Sequence, residues 1–154
     1  MPIAKRVTRR EFIFTAGAGI LGLLSGCGRS RYPFQPEVVL RDLRNNSVIQ
    51  KIAKGEVALM HKEIEGMTQN GKEALAIVQR GLFSLGLVRG DPDDFSFGIY
   101  GPQTAKAVKY LQDWADNESS ERRDGRRFGK MTLLALENAL QEKIAGHWAP
   151  PSNF

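Results

Sequence analysis

The chain has 154 residues, a formal net charge of +5 and a sequence pI near 9.6, which suits one domain with a tail. Lys5, Arg6, Arg9 and Arg10 face only Glu11 in positions 1–26, leaving 18 basic against 16 acidic residues elsewhere. That near balance gives no basic stripe of the kind a nucleic-acid-binding face needs. A single cysteine excludes an internal disulfide, and two distant histidines exclude a zinc centre.

Positions 1–26 read as a signal peptide. "TRREFIF" leads into "TAGAGILGLLSGC", an apolar stretch of about 12 residues, within the range of a signal core. It falls short of the roughly 20 residues that span a bilayer. Arg9, Arg10 and Phe12 resemble a twin-arginine export signal, with Phe14 where a Lys often stands. Leu24-Ser25-Gly26-Cys27 resembles a bacterial lipobox. The resemblance implies cleavage after Gly26, acylation of Cys27, and a lipoprotein facing the periplasm from the cell membrane or outer membrane. Several acyl chains hold a protein firmly, at about 0.8 kcal/mol per buried CH₂.

Residues 27–36 form the lipidated end and a tether with two prolines and no helical period. Residues 37–70 read as a helical preface. "PEVVLRDLRNN" predicts a short helix, and "SVIQKIAKG" a second with Ser47 as N-cap and Gly55 as its stop. From residue 56 to 67, Val57, Met60, Ile64 and Met67 recur at helical spacing and predict a third, one face buried. That stripe either packs on the following domain or docks a protein partner.

Residues 71–145 carry the main domain. Leu75, Val78, Leu82 and Leu85 define the inward face of a helix over residues 72–86, which Gly86, Gly90 and Pro92 break. "GIYGPQTAKAVKYLQ" then starts a helix, with Gly101 at the cap, Pro102 at its first position and Tyr100 stapling the first turn. Its inward residues are Ala105, Ala107, Val108, Leu111 and Trp114. "GRRFGKMTLLAL" repeats the pattern: Phe128, Gly129 and Thr132 stand for Tyr100, Gly101 and Thr104, and Leu133, Leu136, Leu140 and Ile144 continue the face. Residues 146–154 form a tail. The expected fold is all-α: a small three-helix bundle with an additional N-terminal helical segment.

Over roughly residues 72–140 this pattern resembles the type 1 peptidoglycan-binding domain. The residues that carry the likeness are Gly98, Tyr100, Gly101, Pro102, Thr104, Ala107, Val108 and Gln112. Phe97 stands where that family usually has Asp, and Lys130 where it often has Pro. The resemblance implies a non-catalytic module that binds peptidoglycan, with its ligand face in loops and helix starts.

Within that frame the candidate binding residues fall into three groups. The N–H groups after Gly101, with Gln103, Lys106 and Lys109, can form an anion-binding corner or an ordinary solvated first turn. Arg122, Arg123, Arg126 and Arg127 can clamp carboxylates or phosphates or simply keep a loop soluble. Phe95 and Phe97, in a loop without periodicity, are the sugar-stacking candidates, whereas Tyr100, Phe128 and Trp114 read as core. Asp91, Asp93 and Asp94 lack the spacing of a calcium loop.

No catalytic residue, metal site or cofactor is expected. With Cys27 acylated no free thiol remains, no Ser-x-x-Lys occurs, and the histidines do not suit a zinc amidase. The rival to wall binding is a membrane-anchored adaptor that uses the same fold to hold a periplasmic protein.

Overall fold

The computed structural model describes residues 34–60, 68–115, 124–150 and 152. The signal residues Arg9, Arg10 and Phe12, the lipidation site Cys27, and Arg122 and Arg123 lie outside these.

The fold is all-α. Its helices are α1 (Pro36–Asn45), α2 (Ser47–Lys54), α3 (Gln69–Ser84), α4 (Pro102–Trp114) and α5 (Lys130–Ile144), with a 3-10 turn at Pro92–Asp94. Two short extended pieces, β1 (Leu59–Met60) and β2 (Arg127–Phe128), pair antiparallel with Leu59 opposite Phe128 and Met60 opposite Arg127. No described helix is long and apolar enough to cross a membrane.

Helices α3, α4 and α5 bury the predicted stripes: Leu75, Val78 and Leu82, then Ala107, Val108 and Leu111, then Leu133, Leu136 and Leu140. The N-terminal segment joins the same core. Val39, Leu40 and Leu43 of α1 and Ile49 and Ile52 of α2 belong to the continuous buried cluster. Helix α1 lies against α3 and α5, and α2 also touches both. At Gly81 of α3 a Cβ would stand 3.2 Å from Leu136 and 3.4 Å from Val39, so this glycine lets α1, α3 and α5 approach closely.

Several sequence expectations need correction. Asn46, not Ser47, caps α2: its Oδ1 accepts from the Val48 and Ile49 N–H groups at 3.0 and 3.1 Å. Thr68 caps α3 three residues earlier than predicted, its Oγ1 accepting from Gly71 N–H.

The helix expected over residues 56–67 is not formed over 56–60, the part of that range that is described. Gly55 ends α2 in a left-handed turn (φ 79°), and the chain leaves extended into β1. Leu59 is buried there and Val57 is exposed, the reverse of the predicted stripe, while Ile64 and Met67 lie outside the described residues. Trp114 and Ile144, expected in the core, are 40% and 44% exposed. Both stand in the last turn of their helices, where the stripe runs past the core it covers.

The segments that flank the helices are also held. Phe34 packs edge-on against Phe83 and Phe97, with ring centroids 6.0 and 5.8 Å away. After α5, Trp148 turns back and donates its indole N–H to the Leu85 carbonyl at 2.9 Å. The Lys143 ammonium donates to the neighbouring Ser84 carbonyl, and burial lowers its pKa.

Candidate functional site

The two glycine-led helix starts are built alike. In each, a buried glutamine on the preceding helix catches the incoming loop. Gln79 of α3 donates its amide N–H groups to the Ile99 carbonyl (2.7 Å) and Thr104 Oγ1 (3.0 Å), and accepts from Gly98 N–H (2.8 Å). Gln112 of α4 donates to the Arg127 carbonyl (2.9 Å) and Thr132 Oγ1 (3.1 Å), and accepts from Gly125 N–H (3.2 Å). Both glutamines are buried, where an unpaired amide is costly and a fully paired one fixes its partners.

Tyr100 joins the two units. Its ring is fully buried and its hydroxyl donates to the Gly125 carbonyl at 2.7 Å. Burial first, and then the Asp124 carboxylate, hold the phenol well above its ordinary pKa, so it remains a donor. Phe128 fills the equivalent place in the second unit, equally buried and without a hydroxyl.

The first start borders a groove of about 480 Å³, lined by Asp94, Phe95, Ser96, Ile99 and the turn from Gly101 to Thr104. Gly101 is extended and offers no side-chain cap, and Pro102 occupies the first position of α4. The backbone N–H groups at the head of α4 therefore border the groove, in the orientation that favours an acceptor. Ile99 is 47% exposed on the rim. Asp91 Oδ1 accepts from Asp93 N–H, so this carboxylate shapes the 3-10 turn.

The groove brings together only part of the expected set. Phe95 and Gln103 line it; Phe97 does not. Both phenylalanines are partly buried in an aromatic cluster with Phe34 and Phe83, which leaves Phe95 at the margin and takes Phe97 into the fold. Lys106 lines a neighbouring hollow of about 160 Å³ with Leu87, Val88 and Arg89, and Gln103 borders both.

Lys109 instead pairs with Asp113 one turn on, at 2.7 Å, with both side chains half-exposed. Such a pair contributes little, and Lys ahead of its acid is the weaker orientation. Arg126 and Arg127 are exposed at the second start, where the Arg126 N–H bonds Asp124 Oδ1 and β2 carries Arg127. The anion corner is thus divided. Among the described residues the groove holds Asp94 and no lysine or arginine, so it suits an amide or a short apolar group better than a bare carboxylate.

Gln79 is the residue that sequence reasoning missed. Its signal was available: Val78-Gln79 and Leu111-Gln112 each put an aliphatic residue and a glutamine on the helix before a glycine-led start. No family model matches the chain, and no curated protein or solved structure matches it.

Proposed function

We propose that this chain is a non-catalytic, lipid-anchored protein of the bacterial cell envelope whose helical domain binds peptidoglycan non-covalently. The observation that carries the reading is the duplicated helix start. The residues on which the family resemblance rests, from Gly98 to Thr104 and at Gln112, form two matching hydrogen-bonded units around Gln79 and Gln112. The groove beside the first unit combines Phe95 and Ile99 with open backbone donors. That mixture suits the alanine-rich, amide-linked stem peptides of murein. Exposed Arg126 and Arg127, with Arg122 and Arg123 nearby in sequence, add positive charge toward its carboxylates.

The lipobox at Cys27 and the arginine pair at Arg9 and Arg10 support anchoring at a membrane facing the periplasm. Co-sedimentation with purified sacculi tests the proposal. The folded chain is expected to pellet at low salt and to be released as ionic strength rises, because exposed charges are screened within about 10 Å at 0.1 M. Replacing Arg122, Arg123, Arg126 and Arg127 with Ser should reduce pelleting without lowering stability. Wild-type chain that stays in the supernatant at low salt removes the wall-binding reading and leaves the adaptor.

A further inference from the structure

Trp114, 40% exposed at the end of α4, is nonetheless held in place. Its ring is held by Trp148, whose centroid lies 5.2 Å away at an interplanar angle of 76°. Trp148 is in turn fixed by its bond to the Leu85 carbonyl and by packing on the core. An aromatic surface held this way loses little freedom when it binds something.

Beside Trp114 lies a hollow of about 240 Å³, completed by Ala115, Met131, Leu134, Ala135 and Asn138. Leu134 is 48% exposed, and Asn138 stands one turn further along α5, on the same face. Among the described residues the lining carries no charged side chain, so none of them offers a carboxylate or a phosphate an ionic partner. Its volume is below the roughly 300–1,000 Å³ of pockets that enclose drug-sized ligands. A stable protein interface takes about 20–30 residues a side, far more than this patch supplies.

We propose that this hollow is a second binding site, separate from the groove at α4, for an N-acetylated hexosamine within a glycan strand. The pyranose ring lays its apolar C–H face on the Trp114 indole. The acetamido methyl meets Leu134 and Ala135, and the Asn138 amide exchanges hydrogen bonds with a hydroxyl or the acetamido group. The assignment rests on the murein reading for its polymer and on Trp114 for its chemistry.

The test titrates the full-length chain with tri-N-acetylchitotriose while following the two indole N–H signals by NMR. A saturable shift of the Trp114 signal is expected at millimolar ligand. A parallel shift of the Asn138 side-chain amide signals should vanish in Trp114→Leu, and the affinity should fall about tenfold in Asn138→Ala, a loss of about 1.4 kcal/mol. No shift, or a shift that survives Trp114→Leu in a folded protein, overturns the proposal. Concentration-dependent dimerisation abolished by Trp114→Leu also overturns it, by assigning the hollow to a second copy. Sacculus pelleting run in parallel separates the two readings. Pelleting without chitotriose binding removes the sugar site alone, and chitotriose binding without pelleting upholds the sugar site and removes murein as its source.

Discussion

Gly125→Ala should be among the most damaging single-methyl additions this chain can receive. Gly125 sits at φ 71°, and a Cβ there would stand 2.0 Å from the Ala105 carbonyl oxygen and 2.9 Å from its carbon. Backbone atoms of α4 cannot rotate away, so the loop must lift. The left-handed conformation alone costs a non-glycine residue roughly 1–2 kcal/mol. Lifting also breaks the Gly125 N–H bond to Gln112 and the bond from the Tyr100 hydroxyl to the Gly125 carbonyl, at about 0.5–1.5 kcal/mol each, or about 1–3 kcal/mol together.

The total is roughly 2–5 kcal/mol, a large share of the 5–15 kcal/mol that stabilises a typical domain. Urea unfolding followed by circular dichroism measures it. Gly146→Ala is the control, because its φ of 78° is close to that of Gly125 while nothing lies within 4 Å of the added carbon. It should cost about 1–2 kcal/mol, from conformation alone. The reasoning fails if Gly125→Ala costs no more than Gly146→Ala.

Two further outcomes follow from other parts of the chain. The Tyr100 phenol is raised in the folded state, so its contribution is complete below the unfolded pKa near 10 and is lost as pH rises above it. Between pH 10 and 11.5 the wild type should therefore lose up to about 1.4 kcal/mol per pH unit relative to Tyr100→Phe, and parallel pH curves for the two would refute the assignment. Cys27→Ala should leave an uncleaved precursor that takes up no labelled fatty acid, and acylation of that variant would exclude Cys27 as the anchor.

The helices from residue 69 onward were legible because their apolar residues recur at 3.6-residue spacing and glycine or proline interrupts each run. Periodicity gives a face and not its extent, which is why Trp114 and Ile144 were assigned to a core that ends before them. The spacing of Val57, Met60, Ile64 and Met67 reads as a helix, which residues 56–60 do not form. What decides against it is the pairing with Arg127 and Phe128, far along the chain. Phe95 and Gln103 were found because Gly-Pro marks a helix start. Gln79 escaped because a buried glutamine reads like a solvated one, and its partners lie 19 to 25 residues away. Lys109 is drawn away from the anion corner by Asp113, the acid four residues on that pairs with it.

The paired glutamines separate the length of a loop from the geometry of its arrival. Gln79 grips a glycine 19 residues downstream and Gln112 one only 13 downstream, yet each delivers the next helix by the same three hydrogen bonds. Since doubling a flexible loop costs only about 0.6 kcal/mol in closure entropy, the spans upstream of Gly98 and Gly125 are free to grow. The open surroundings of Gly90 make it a natural splice point. A foreign peptide spliced there would be displayed on the surface while α4 still begins at Pro102, so the domain can acquire new recognition loops without redesigning its frame.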